Sequence, residues 1–344
     1  MTAGIEATDR PVYHAKAAWH GLGIVVENAP SPDEARVLAK LDWDPMEAPI
    51  TGIIEPPGGK PFRKPFPTHK AIIRDDNHSL LGIVTSKYKP VKNRELVEFI
   101  YELADSSNVK VESAGSIHNG KRVWFLLKAP TMFDLPGDDK VAPYVLVSNG
   151  HDGGTSLYVQ ATTIRVVCNN TLGFATYSAE DEVQRGMAVA YRHSGSIMDR
   201  IGDAKEALKY ALTDLEEFKE IAQEMAETKM TEEQMKEFFL EVYAETWGMP
   251  PTNPTNKKEE AARKRAEVKI AKWIVNASEG AGADLKSSKG TVWGALNALT
   301  LWSDHERQTK NVEDVFGRTN SKLFGSGADF KTTALLKAQE LLNA

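Results

Sequence analysis

The hydrophobic period of this chain changes near residue 190, and that change restricts the folds it can adopt. From Ile197 to Met225 apolar residues recur every three or four positions, the spacing of one face of a long α-helix. Before residue 190 the apolar runs are short and are separated by turn signals such as Asn-Gly and Asp-Gly. We therefore predict an α+β fold, with a strand-rich N-terminal half and a mainly helical C-terminal half.

The first half predicts a largely antiparallel sheet with one packed helix. The expected order is β-β-α-β-β-β-β, with strands at 70–74, 80–85, 110–116, 122–128, 144–148 and 156–167. A helix is expected over 94–104, with Asn93 as its N-cap. Because residues 55–67 are rich in proline and glycine, we interpret them as a loop.

In the second half, capping signals mark several helix starts. Thr231 and Gln234 form the pattern of a capping box, as Ser31 and Glu34 do near the N-terminus. Further helices are predicted over 257–276, 291–305 and 332–342.

We predict three parts: an N-terminal arm with a short helix (1–60), an antiparallel sheet-plus-helix core domain (61–190) and a helical domain (191–344) with a flexible loop near 248–256.

Composition indicates a cytoplasmic protein that does not enter a membrane. No run approaches the roughly 18–20 apolar residues of a membrane span, and the first thirty residues lack a signal-peptide pattern. The single cysteine, Cys168, excludes a disulfide within the chain and fits a reducing compartment.

Charge is distributed unevenly along the chain. The formal net charge is −6, which by itself disfavours a nucleic-acid binder. Residues 60–128, however, hold 13 Lys and Arg against 7 Asp and Glu, while residues 180–245 hold 8 against 17. The strand-rich half therefore has a local basic excess, and the acidity lies mostly in the first long helices.

Motifs for the commoner enzyme classes are missing from the sequence. No phosphate-binding loop, dinucleotide fingerprint, Cys-x-x-Cys or His-Glu-x-x-His occurs, so we predict no cofactor and no bound metal. An enzyme, as a hydrolytic alternative, would need His151, Asp152, Cys168 and His193 to converge. Ordinary turn and core roles explain these residues more simply, as they do the Asp304-His305 pair.

Basic residues interleaved with aromatic ones suggest a surface for single-stranded nucleic acid, on which cations follow phosphates and rings stack on bases. The predicted binding residues are Lys87, Tyr88, Lys89, Lys92, Arg94, Lys121, Arg122 and Arg165. By strand parity, Tyr158, Gln160 and Thr162 share one face of their strand and Arg165 shares the other. A solvated sheet face is the alternative interpretation.

Seven stretches resemble one protein family. They are 19–23 (Trp-His-Gly-Leu-Gly), 81–84 with Tyr88, Lys89, Pro90 and Asn93, 120–124 (Gly-Lys-Arg-Val-Trp), 148–152 (Ser-Asn-Gly-His-Asp), 163–172, 192–194 and 290–297. The sequence is similar, over about residues 15–305, to the phage/plasmid-like family that carries domain of unknown function 932. The resemblance implies a mobile-element context.

The predicted element order also resembles, at fold level only, the core of Rad52-like single-strand annealing proteins. This resemblance implies a homo-oligomeric ring or filament that binds single-stranded DNA and acts in recombination or replication without being an enzyme. The alternative is an interaction protein that contacts a host or phage partner through its acidic helices, as a counter-defence factor would.

Overall fold

The computed structural model describes residues 12–13, 24–25, 30–154, 157–165, 170–173, 188–191, 201–307, 321–323 and 325–343. Its strands are β1 (Val12–Tyr13), β2 (Ile24–Val25), β3 (Pro45–Ile54), β4 (Phe62–Arg74), β5 (Leu80–Thr85), β6 (Lys110–Ile117), β7 (Arg122–Lys128), β8 (Phe133–Leu135), β9 (Asp139–Gly150), β10 (Leu157–Arg165), β11 (Asn170–Gly173) and β12 (Ala188–Tyr191). Its helices are α1 (Pro32–Leu38), α2 (Asn93–Ser106), α3 (Ile201–Glu227), α4 (Glu232–Trp247), α5 (Lys257–Glu279), α6 (Val292–Leu301) and α7 (Ser326–Leu342), with a π-helix at Trp302–Glu306.

The main sheet has the strand order β11-β10-β9-β7-β6-β1-β2, with β12 also on β10 and β8 on β9. All pairs are antiparallel except β1 with β2. Since side chains alternate along each strand, Val123, Phe125 and Val147 face the helices α2 and α3 in one core. Trp124, Tyr144 and others form a smaller cluster on the opposite face.

A second sheet of three antiparallel strands has the order β3-β4-β5. Strand β5 pairs only with residues 69–73 of β4, so beyond that point β3 and β4 continue as a two-stranded ribbon. Prolines in the ribbon (Pro61, Pro65 and Pro67) suit a segment with one neighbouring strand, because proline has no N–H to give a second one. Residues 50–69, called the arm below, are mostly exposed.

Helix α3 connects the two halves of the molecule. Its buried stripe begins at Ala204 and Leu208 in the core beneath the main sheet and ends at Ala222 and Met225 in the core of the helical half. Within the described residues this stripe is therefore filled by the chain's own sheet and helices. The capping boxes predicted for α1 and α4 are both present.

The segment 290–297 fixes the helical half to the main sheet. Thr291 caps α6 by accepting a hydrogen bond from the Gly294 N–H at 3.0 Å. The Trp293 indole donates to the buried Asp139 carboxylate of β9 at 3.0 Å. A Cβ at Gly294 would lie 1.9 Å from the Ser288 carbonyl oxygen, so only glycine allows this close approach.

The predicted α+β class is confirmed, with antiparallel sheets mainly in the first half and helices in the second. The loop predicted over 55–67 is wrong in part, because 62–67 belong to β4. Strands β1, β2, β3, β8, β11 and β12 have no counterpart in the prediction. The predicted domain boundary between residues 60 and 61 falls inside the β3–β4 hairpin. No helix in the described part of the chain is long and apolar enough to cross a membrane.

Asp214 of α3 gives a prediction for the pH dependence of stability. Its Oδ2 is buried without a hydrogen-bond partner, and burial together with nearby Glu217 raises the pKa of Asp214 to about 6. The folded protein therefore holds this proton more tightly than the unfolded chain, and the carboxylate costs stability as the pH rises from about 4 through 6.

We expect Asp214→Asn to raise the free energy of unfolding by about 1 kcal/mol at pH 8, after allowing for partial exposure, and to leave it unchanged below about pH 4. Urea unfolding followed by circular dichroism at both pH values measures this. A gain of equal size at both pH values would contradict the assignment to Asp214 ionisation.

Candidate nucleic-acid interface

Asn93, the first residue of α2, lies at a junction between the two sheets. Its Nδ2 donates to the Trp43 carbonyl oxygen at 2.8 Å, and its Oδ1 lies 2.9 Å from Nε2 of His151. Since the first bond fixes the amide orientation, Oδ1 must accept, and Nε2 of His151 must carry a proton. The expected N-cap role is wrong: Lys92 is the N-cap, and Asn93 is wholly buried.

Trp43 and Arg74 extend this junction to the small sheet. The Trp43 ring meets the His151 ring edge-on at 5.5 Å, and the Arg74 guanidinium lies 4.3 Å from the Trp43 ring centroid. Arg74 donates two hydrogen bonds to Asp76, at 2.9 and 2.7 Å, and one to the Asn119 side-chain oxygen at 3.2 Å. The bonds to Asp76 stay within the β4–β5 hairpin, and the bond to Asn119 holds β4 against the β6–β7 turn.

Two glycines allow the backbones at the junction to approach closely. A Cβ at Gly82 would lie 2.5 Å from the Asp152 carbonyl oxygen, and one at Gly120 would lie 2.3 Å from the Trp43 ring. Gly120 also has a φ of +88°, which favours glycine. Three of the seven stretches noted in the sequence therefore meet here, namely 81–84 with the residues from Tyr88 to Asn93, 120–124 and 148–152.

Exposed cations surround this junction. The side chains of Lys87, Lys89, Lys92, Arg94 and Lys121 are all exposed. Backbone hydrogen bonds fix the segments that carry Lys87 and Lys121. The Ser86 N–H donates to the Thr68 carbonyl at 3.0 Å, and the His151 N–H donates to the Lys121 carbonyl at 2.7 Å. Because Thr68 lies in β4, the β5–α2 connection runs along the base of the arm.

Tyr88 and Arg122 differ from these five residues. The Tyr88 ring packs against the main core and its hydroxyl donates to the Gly150 carbonyl at 3.1 Å, so burial raises its pKa. Arg122 is half-buried, and burial lowers its pKa while the neighbouring Asp152 and Tyr158 oppose that shift. Both residues therefore support the junction, and an open stacking role for Tyr88 is not favoured.

The strand-parity prediction for β10 is confirmed for the residues that face away from the helices. Tyr158, Gln160 and Thr162 lie opposite Ser148, Leu146 and Tyr144 of β9, while Val159 and Ala161 enter the helix-covered core. Arg165 ends β10, opposite Val141 and Asn170. Its role in an interface stays a prediction.

The arm is the part of the surface that sequence reasoning missed. It carries exposed Lys60, Arg63 and Lys64, and its Phe62 and Phe66 side chains are 51% and 39% exposed. Two signals could have revealed it: the Pro57-Gly58-Gly59-Lys60 turn is flanked by apolar residues, and cations alternate with rings after it. Residues 45–94 together hold nine Lys and Arg against four Asp and Glu.

The hydrolytic alternative gains no support from the described geometry. His151 is wholly buried and bonded to Asn93, and Asp152 Oδ1 accepts from the Gly154 N–H in a turn. Cys168 and His193 lie outside the described residues. Among the residues that are described, no group of three or more His, Cys, Asp or Glu side chains could hold a metal ion.

Asp304, the other acidic candidate, is used in a buried ion pair. Its two oxygens lie 2.7 Å from Nζ of Lys331 and 3.5 Å from Nζ of Lys322. It is therefore a structural residue of the helical half.

Comparison with known sequences identifies the family. The model of the domain of unknown function 932 matches residues 80–324, more than two thirds of the chain. The chain belongs to this family. The match begins at β5 and contains Asn93 and His151 of the junction and the 290–297 segment, whereas Trp43, Arg74 and the whole arm lie before it. No curated protein and no solved structure matches the chain.

The junction predicts that Asn93→Ala will lower the free energy of unfolding by about 2–4 kcal/mol, because the Trp43 carbonyl and the His151 N–H both lose a buried partner. Lys92→Ala is the matched control, since the Lys92 side chain is exposed and forms no cap bond. Urea denaturation of both variants measures the difference. Equal stability of the two variants would show that the junction is not important for folding.

Proposed function

We propose that this protein binds single-stranded DNA along a cationic face, without enzymatic chemistry, as a step in annealing during recombination or replication. The observation that carries the proposal is the number of exposed cations on the arm and around the junction. The set comprises Lys60, Arg63, Lys64, Lys87, Lys89, Lys92, Arg94 and Lys121.

The segments that carry these cations are joined by hydrogen bonds. The arm carries the first three cations, and its base is hydrogen-bonded to the connection that carries Lys87 and Lys89. The Arg94 N–H donates to the side chain of Asp44, next to the start of β3. The Lys121 carbonyl accepts from the His151 N–H, and the preceding Gly150 carbonyl accepts from the Tyr88 hydroxyl. A flexible strand could follow such a path, because its phosphates need cations spread along a line.

Exposed rings favour single strands over duplex. Phe62 and Phe66 lie among the arm cations, and unpaired bases have faces that can stack on them. A duplex offers only its phosphates and groove edges to a surface of this kind. The phage or plasmid context and the fold-level similarity to Rad52-like proteins remain predictions.

Replacing Lys87, Lys89 and Lys92 with Glu tests this proposal. We expect affinity for a labelled strand of about 30 nucleotides to fall at least tenfold at low salt. The slope of log affinity against log salt should fall by about 2, because each lost phosphate contact removes about 0.7. Fluorescence anisotropy at several salt concentrations measures both quantities, and a strand-pairing assay tests annealing.

The matched control reverses three exposed lysines of the acidic helices, Lys209, Lys219 and Lys236. It changes the net charge equally but leaves the cationic face intact, so binding should stay within about twofold of the unmodified protein. Equal losses of affinity in the two triple variants would show that binding depends on overall charge and not on the cationic face. An absence of binding at low salt would reject the proposal.

A second surface favours self-association. The outer face of the small sheet exposes Met46, Leu80 and Ile83 by 41%, 52% and 60%. In the strand register Met46 and Leu80 lie on either side of Ile73, and Ile83 lies beside Ala71 in the next row. A contiguous apolar patch of this kind typically marks a protein interface. We propose a second copy of the chain as its occupant, because a two-fold contact would bury the same apolar patch on both copies.

Ile83→Glu should convert the assembly to monomer. The matched control Val37→Glu, which places the same charge at a 51% exposed position of α1, should not. Size-exclusion chromatography with light scattering, over a range of concentrations, measures the mass. A monomer at every concentration for the unmodified protein would reject self-association without affecting the DNA proposal.

A further inference from the structure

The helical half carries an exposed aromatic ring where α4 ends against α5. Trp247, the last residue of α4, is 40% exposed, and the nearby Met249 is 67% exposed. Every other tryptophan that the structure describes is at most 8% exposed. Trp247 is thus unusual in this molecule, since its ring is available at the surface.

Buried rings hold Trp247 in place. It stacks on Phe330 with ring centroids 5.5 Å apart and planes at 29°, and on Trp273 at 6.3 Å and 25°. Trp302 meets it edge-on at 6.1 Å. Since Phe330 and Trp273 are fully buried, the exposed ring is a rigid platform that loses little side-chain entropy when a ligand binds.

Three cations gather around this platform. Arg265 and Lys269 are one helical turn apart on α5, and Lys269 Nζ lies 5.1 Å from the Trp247 ring centroid. Burial lowers the pKa of Lys269, and Arg265 and Arg307 lower it further, so the three positive charges repel one another. Within the described part of the chain, neither Arg265 nor Lys269 forms an ion pair.

The acidic side chains near this cluster pair with other cations or face Arg307 alone. Glu306 pairs with Lys272 at 2.9 Å, and Glu267 pairs with Arg263 at 2.7 Å. Asp329 faces Arg307, whose guanidinium also donates to the Ser326 carbonyl and hydroxyl at 2.8 and 3.0 Å. An anion bound between Arg265 and Lys269 would therefore relieve a repulsion that the free protein carries.

We infer that Trp247, Arg265, Lys269 and Arg307 form a second contact site for single-stranded nucleic acid. A base stacks on Trp247, and Lys269 moves from the ring to a phosphate that Arg265 and Arg307 also attract. An acidic peptide would satisfy the cations but leave the tryptophan ring exposed, whereas a nucleotide uses both. This site lies in the helical half, away from the cationic face. If both sites bind, one copy of the protein contacts two strands, and this consequence alone rests on the proposed function.

Fluorine NMR of the full chain labelled with 5-fluorotryptophan tests the inference. The Trp247 resonance is assigned by its loss in Trp247→Phe. Addition of a ten-nucleotide thymidine strand should shift or broaden this resonance, and should do so equally in the variant with Lys87, Lys89 and Lys92 changed to Glu. A shift retained in that variant separates this site from the cationic face.

Charge reversal at Arg265 and Lys269 should abolish the shift and weaken binding of the strand at this site at least tenfold. The control reverses Lys258 and Lys264, exposed residues of the same helix, and should stay within about twofold. The inference is overturned if the Trp247 resonance does not move at saturating strand concentration. It is also overturned if a polyglutamate peptide moves the resonance as strongly at the same concentration, which would assign the patch to an acidic protein partner.

Discussion

The position of the cationic face depends on the two hydrogen bonds of the buried Asn93 side chain. These bonds join the start of α2 to the segment before β3 and to the end of β9, three pieces of chain that no local signal brings together. A buried amide that lost either partner would carry a desolvation cost with no compensation. Trp43, held by this contact, then supports Arg74 and so the base of the small sheet.

The Asn93 junction links the fold to the surface for which we propose a function. The cations that we propose to contact DNA lie on connections whose neighbouring backbone is fixed at the junction, as the bonds of Ser86 and His151 show. Loops positioned by a rigid framework commonly carry binding residues. Substitutions in the core of the junction should therefore act on binding through the geometry of these connections.

The helical half is fixed to the sheet by a different device, the buried Asp139. Its carboxylate accepts from the Trp293 indole and from the Ser287 hydroxyl at 2.7 Å, which joins β9 to the segment before α6. Asp304 plays a comparable part between the π-helix and Lys331 of α7. Burying such charged groups costs free energy, and their partners must offset that cost, so they specify position more than they add stability.

Charge is separated along the chain in a way that suits both proposed contacts. An overall charge of −6 weakens nonspecific attraction to nucleic acid, while the basic segment 45–94 and the Arg265–Lys269 surface keep local attraction. Because these interactions act over about a Debye length of 8–10 Å at moderate salt, local clusters matter more than the sum. The acidic helices between them remain available for contacts with a basic surface, including that of a second copy.

The sequence by itself determined the fold class, the long helices and the two hairpins whose turns contain Asn77 and Asn119. These features follow from local periodicity and turn chemistry, which act between residues close in the chain. Only the tertiary structure decided that Asn93 is a buried bridge instead of a cap, that Tyr88 enters the core, and that residues 62–67 extend a strand. Asn93 and Tyr88 bond partners tens of residues away, His151 and Gly150, about which a local pattern holds no information. Residues 62–67 form a strand because 62–65 pair with residues 51–54 of β3, a pairing that their proline- and glycine-rich composition does not reveal.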